Sequence, residues 1–237
     1  MIKIIFFIFA LICGAVTGLL AAQVSAGSED GLVGYWSFDE GQGDTAKDCS
    51  GHANDGKIIG KAKWGKGIRG MALELRGQGY VDCGNNPGLI SESITLEAWV
   101  RAYGTGYWMG IVSNKKDAYS GGLNLQIGQA TNFAALLNGT YLKSLKKPEK
   151  DDWYHVAVTY SSSDKKVMLF IDGEIEATEK MELKYSAPDV KTVIGSFYNT
   201  GAGDKLFNGL IDEVKIYNRA LSPDEIKKEY DSVGKLK

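Results

Sequence analysis

Apolar and polar residues alternate in short runs along most of this chain, and that alternation constrains the fold more than any other feature. Leu32, Gly34, Trp36 and Phe38 alternate with polar positions, and Ile94, Leu96, Ala98 and Val100 do the same in SITLEAWVRA. In DWYHVAVTY, Tyr154, Val156, Val158 and Tyr160 take one face while Trp153, His155 and Ala157 take the other, so both faces read as covered. KVMLFIDGEIEAT reads as a hairpin turning at Asp172-Gly173, and VKTVIG and the segment around Leu32 add further strands. The chain has 30 glycines and 4 prolines, which suits many tight turns and not long helices. Short strands without intervening helical periods predict an all-β sandwich or jelly roll.

One short C-terminal helix is expected. Ser222 is placed as its N-cap, Pro223 as its first residue and Glu225 as the partner in an S-x-x-E capping box, with Leu221 and Ile226 as a hydrophobic staple. Just before it, LIDEVKIY reads as a strand in which Leu210, Asp212, Val214 and Ile216 share one face. A carboxylate in that row is costly to desolvate. It requires a cation, several hydrogen-bond donors or a raised pKa.

Residues 1–26 read as a signal peptide. Lys3 precedes an apolar run from Ile4 to Ala22, and Val24, Ser25 and Ala26 meet the small-residue rule for cleavage. The run is long enough that an uncleaved membrane anchor is the alternative. Residues 27–30 are then a short linker and 31–237 one domain, expected to be secreted, periplasmic or at the cell surface. Cys13 leaves with the signal, and Cys49 and Cys83 read as a disulfide. With 44% hydrophobic residues, 24% charged residues and a net charge of −2, the composition is ordinary, and no basic cluster points to nucleic acid or heparin.

GLVGYWSFDEGQGDTAKDCSGHANDG, GYVDCGN, SITLEAWVRA, DWYHVAVTY, LFIDGE and FNGLIDEVKIYNRALSPDEI resemble, in order, the laminin-G-like (concanavalin A-like) jelly rolls, in the bacterial branch close to the pentraxins. The resemblance implies an all-β, two-sheet antiparallel jelly-roll sandwich, its two sheets facing each other, one of them concave, with the first and last strands adjacent. It also implies a module that binds glycan or a cell-surface protein, often with bound calcium.

Some relatives are glycoside hydrolases that use E-x-D-x-x-E for two-carboxylate chemistry. Around Asp212 the leading glutamate is absent, and EIEATE (Glu174, Glu176, Glu179) lacks the central aspartate and reads as a solvated strand. His155 reads as a core histidine, so catalysis is not expected. Asp39, Glu40, Asp44, Asp48, Asn54 and Asp55 supply the hard oxygens that calcium takes. If the first and last strands adjoin, as the resemblance implies, Asp39, Asp48 and Asn54 converge on Asp212 around a structural calcium. The alternative is that Asp212 accepts backbone N–H bonds from a glycine-rich turn. For ligand binding, Tyr103, Tyr107, Trp108 and Tyr119 stand among glycines with Asn114 and Asp117 nearby, and Phe197, Tyr198 and Asn199 form a second aromatic loop. Trp36, Trp99 and Trp153 are expected in the core. An exported carbohydrate-binding module is thus the leading expectation, with a structural adhesion or cell-envelope protein as the alternative and a glycoside hydrolase third. An aromatic cluster in a groove favours the first, a flat apolar patch the second.

Overall fold

The computed structural model of the chain describes residues 30–104, 108–115, 121–128, 132–183, 190–198 and 205–234. The expected signal segment, Tyr107, Asp117, Tyr119 and Asn199 lie outside these residues. Strands β1 (Leu32–Trp36), β2 (Thr45–Ala46), β3 (Gly56–Lys66) and β4 (Met71–Asp82) come first. Then follow β5 (Ile94–Ala102), β6 (Met109–Ser113), β7 (Leu123–Ile127), β8 (Phe133–Leu137) and β9 (Thr140–Lys143). Strands β10 (Trp153–Ser161), β11 (Lys166–Ile171), β12 (Glu174–Lys180), β13 (Val193–Ile194) and β14 (Asn208–Tyr217) precede helix α1 (Pro223–Gly234).

The strands run in the order β12-β11-β10-β5-β14-β4-β13-β6-β7-β8-β9, with β1 on β14, β3 on β4 and β2 on β3. The short β13 pairs with both β4 and β6, and there the sheet passes from one layer of the sandwich to the other. Leu96, Val100, Val158, Leu169 and Ile211 of one layer and Ile111, Leu125 and Phe133 of the other share a single buried cluster. Two layers closing on one core is the jelly roll that the resemblance implies and the alternation allows. The first and last strands adjoin, with Gly34 opposite Ile216 and Trp36 opposite Val214.

Local chemistry sets the turns. Asp172 and Gly173 both have positive φ (52° and 79°) and close the β11–β12 hairpin. The capping box forms as expected: Ser222 N donates to Glu225 Oε2 at 2.8 Å, and Glu225 N donates to Ser222 Oγ at 3.3 Å. Leu221 and Ile226 pack with Ala157, Met168, Phe170 and Tyr217, so α1 covers the outer face of the β10–β11 layer. Trp36 is in the core, but Trp99 is buried on that outer face, stacked 5.6 Å from Tyr230 of α1. Trp153 is only half-buried, because its side chain projects from β10 on the side away from the core. His155 is buried beneath α1, with Nε2 3.6 Å from Glu97 Oε2.

Strand β14 departs from simple alternation. A bulge falls between Asp212 and Lys215, and Glu213 has a left-handed backbone (φ 48°). The inserted residue resets the register, so Ile211, Val214 and Ile216 all join the core. Asp212 and Leu210 therefore point the other way, and the expected common face with Val214 and Ile216 does not exist.

The expected disulfide is also not formed. Cys49 and Cys83 are not bonded to each other. The Cys49 sulfur is turned to Ser37 Oγ (4.0 Å) and the Lys47 carbonyl (3.9 Å). Cys83 is buried with its sulfur directed at Gly56 of β3, and burial pushes its thiol pKa well up.

Candidate functional site

Two places concentrate chemistry. The first is the turn between β3 and β4, where Gly67 N donates to the Gly70 carbonyl at 3.0 Å. Asp212 Oδ2 accepts from Ile68 N (2.9 Å) and Arg69 N (3.3 Å), and its Oδ1 accepts from Glu213 N (2.8 Å). Asp39 Oδ1 accepts from Met71 N at 2.8 Å. Both aspartates stand beside residues in left-handed backbone, Phe38 (φ 54°) and Glu213, which aim them at the turn. A β-carbon at Gly67 would collide with Asp212 Oδ2 and the Met71 carbonyl and would sit 2.8 Å from the Arg69 carbonyl, so only glycine admits this closeness. Burial pushes the Asp212 carboxyl well above the ordinary range, and the neighbouring charges of Glu213 and Asp39 add to the shift. Burial also raises Glu213, whose carboxylate is partly compensated by the Tyr35 hydroxyl (3.0 and 3.1 Å) and by the charges of Lys215 and Arg69.

Of the four expected metal ligands, the structure brings two together. Asp48 instead binds the 48–54 loop to β1: its Oδ1 accepts from Tyr35 N (3.0 Å) and Ser50 N (2.9 Å), and its Oδ2 from Asn54 N (2.8 Å). Asn54 Nδ2 donates to the Val33 carbonyl at 2.7 Å, and Asn86 Nδ2 donates to Asn54 Oδ1. Glu40 Oε1 accepts from Lys47 N at 2.6 Å, and Asp55 pairs with Lys47 at 2.6 Å. Among the described residues no three His, Cys, Asp or Glu side chains gather at metal-binding spacing. The oxygens at the turn that suit a hard cation are those of Asp39 and Asp212 with the Arg69 and Met71 carbonyls.

The second place is a row of rings on the other layer. Trp108, held at φ 47° just before β6, lies 5.0 Å from the Tyr141 ring of β9 and 5.7 Å from Phe197. Phe197 in turn lies edge-on to Tyr198 at 4.4 Å. The backbone of Ser196 and Phe197 rests on Gly110 of β6, where a side chain would leave no room. Beside the rings, β7 turns Asn124 and Gln126 away from the core. Asn124 Nδ2 donates to the Phe197 carbonyl at 2.8 Å. Asn124 Oδ1, both amide atoms of Gln126 and Asn114 Nδ2 are buried without a hydrogen-bond partner. Buried amides without partners are rare in folded proteins, and they mark this face as one that holds unspent donors and acceptors.

Of the expected ligand-binding residues, Trp108 and Tyr198 belong to this row. Tyr103 does not: its hydroxyl donates to Glu74 Oε1 at 2.6 Å, and the Arg76 guanidinium lies 5.5 Å above its ring. Burial and that carboxylate push the Tyr103 pKa up to about 12. Tyr141, Asn124 and Gln126 were not among the expected site residues, although a signal for each was present. Asn138-Gly139 is a hairpin turn that sets Tyr141 on β9, and the alternation in LNLQI places both amides on one face.

The family model described as the concanavalin A-like lectin/glucanases superfamily matches residues 75–227. The chain belongs to that superfamily. Among solved structures it is similar to domain 4 of AbnA, a GH43 extracellular arabinanase from Geobacillus stearothermophilus in complex with arabinotriose. That likeness has 19% identity and a TM-score of 0.66, over 83% of this chain and 97% of that one. It is also similar to the binding domain of Paraclostridial Mosquitocidal Protein 1, at 17% identity and a TM-score of 0.63 over 85% of this chain and 52% of that one. A third likeness is to Trypanosoma rangeli sialidase in complex with sialic acid, at 18% identity and a TM-score of 0.66 over 87% of this chain. This superfamily member spans about half of the toxin domain's length and 33% of the sialidase. No curated protein matches it. These structural likenesses show the jelly-roll fold.

Proposed function

We propose that this chain is an exported, non-catalytic carbohydrate-binding module whose ligand lies along the Trp108 row. One observation carries the reading: an aromatic row runs beside buried amides that have no partner of their own. Sugars present apolar ring faces to aromatic side chains and hydroxyls, each both donor and acceptor, to amides. The strained backbone at Trp108 supports the same reading, since a bulky residue at positive φ is uncommon and such strain concentrates at functional sites. The similarity to an arabinanase domain solved with arabinotriose adds support. A glycan array probed with the parent and with Trp108→Ala tests it. The parent binds a restricted set of glycans and the variant loses them; equal binding by the two rejects the site.

Calcium at the β3–β4 turn is part of the proposal. Asp39 and Asp212, with the Arg69 and Met71 carbonyls, are the residues that would hold it. Bound there, the ion would supply counter-charge to Asp212 and Asp39. Its role is to fix the turn, away from the row of rings.

A further inference from the structure

We propose that the glycan bound along the Trp108 row is anionic, and that Lys143 and Lys205 read its charge. The inference rests on the carbohydrate-binding reading above and names the class of ligand.

The row carries an ammonium group at each end. Lys143 Nζ lies 5.6 Å from the Tyr141 ring centroid, and Lys205 Nζ lies 5.3 Å from Phe197 and 5.1 Å from Tyr198. The order along the row is therefore Lys143, Tyr141, Trp108, Phe197, Tyr198, Lys205, with Phe197 buried beneath the half-buried rings of Tyr141, Trp108 and Tyr198. Neither lysine forms an ion pair with a carboxylate among the described residues, whereas Lys47, Lys146, Lys191, Lys215 and Lys227 all do. Among the described residues of this layer, 108–115, 121–128, 132–143, 190–198 and 205–208 include Lys115, Lys143, Lys191 and Lys205 and no aspartate or glutamate; Asp117, Asp189 and Asp204 lie outside the described residues.

Lysine is a mobile, strongly hydrated charge. Contact with a ring face holds it near the row without neutralising it. A neutral sugar would use the rings and the amides and leave both charges idle. A ligand with carboxylates or sulfates spaced along its chain uses all three kinds of group, and complementary charge both steers it in and sets its register. Carboxylate and sulfate share this chemistry.

The test is calorimetric titration of the full chain with three glycans: oligogalacturonate (carboxylate), chondroitin sulfate (carboxylate and sulfate) and neutral arabinan. The expected result is tighter binding of at least one anionic glycan than of arabinan, weakening as sodium chloride rises. Lys143→Gln and Lys205→Gln should each weaken anionic binding by roughly fivefold at low salt and leave arabinan binding and the melting temperature unchanged. Lys228→Gln, on α1, makes the same change in net charge away from the row and should have no effect. Binding of oligogalacturonate identifies carboxylate as sufficient; binding of chondroitin sulfate alone identifies sulfate. Equal affinity for arabinan and the anionic glycans, or an effect of Lys228→Gln as large as the other two, overturns the proposal. In that case a loss of binding in Trp108→Ala still upholds the carbohydrate reading, whereas no binding to any glycan overturns both.

Discussion

The β3–β4 turn and the Trp108 row are both polar, and their polarity is of opposite kinds. At the turn the carboxylates of Asp212 and Asp39 are supplied with backbone N–H donors, so hydrogen bonding is met while negative charge accumulates. At the row the amides of Gln126, Asn124 and Asn114 keep unused atoms, and the charged groups at hand are cations. The turn spends its polar groups on the fold. The row holds them in reserve, at a cost to the fold, for something else. Removing a polar group should therefore lower stability in one place and raise it in the other.

The largest effect is expected at Asp212. Asp212→Ala strands the amides of Ile68, Arg69 and Glu213 and should cost about 3 kcal/mol in denaturant unfolding. If calcium binds there, the parent gains about 2.7 kcal/mol when the ion is at about a hundred times its Kd. Chelator then lowers the melting temperature of the parent by several degrees and leaves Asp212→Asn almost unchanged. A parent indifferent to chelator and to millimolar calcium would remove the metal and keep the turn as a hydrogen-bonded lock.

Trp108→Ala comes next. It should lose about 2 kcal/mol of glycan binding, the loss expected for an aromatic anchor. Its stability should fall by only about 1 kcal/mol, the worth of the half-buried ring's contacts with Tyr141 and Phe197, while alanine keeps a β-carbon and leaves the φ 47° backbone as strained as before. A stability loss of several kcal/mol would make Trp108 a packing residue and erase the contrast.

Gln126→Met sharpens the contrast most directly. It keeps the volume and removes two unsatisfied amide atoms, so unfolding should show a gain of about 1 kcal/mol while glycan affinity falls. If stability drops instead, the amide already serves the fold.

The smallest effect lies at α1, remote from both regions. The Arg219 guanidinium and the Ser222 N–H hold the Glu225 carboxyl at about 2. That is below its unfolded value of about 4.3, so its contribution is complete above roughly pH 5 and is lost as pH falls toward about 2. The pair is partly exposed, so the loss is under about 1 kcal/mol. Glu225→Gln should flatten that part of the acid titration and leave chelator and glycan responses untouched.

Much of the architecture could be read from the alternation. The strands at SITLEAWVRA and DWYHVAVTY, the Asp172-Gly173 hairpin and the Ser222 capping box follow from rules that act over a few residues. Asp212 shows where such rules stop, because a single bulge moved it off the face that simple alternation assigns. The cysteine pair was misread for a similar reason, since spacing along the chain does not say which way each sulfur turns. Trp108 and Tyr198 could be picked out as aromatics among glycines. Lys143 and Lys205 could not, because each is isolated in sequence, and only the contacts of Trp108 with Tyr141 and Phe197 bring them to the ends of one row.

The place of β14 in the sheet also governs when the domain can fold. The last strand in the chain is an inner one: it lies between β5 and β4 and receives β1 as well. Until it has been synthesised, β5 and β4 have no shared neighbour and β1 has no strand partner among the described residues. Local hairpins such as β11–β12 can close early, but the sandwich must wait for contacts that span most of the chain. Non-local pairing of this kind predicts slow folding that is completed only when β14 joins the sheet. A truncation before Asn208 removes the middle of the sheet, while one after Tyr217 removes only the α1 cover and the segment that follows.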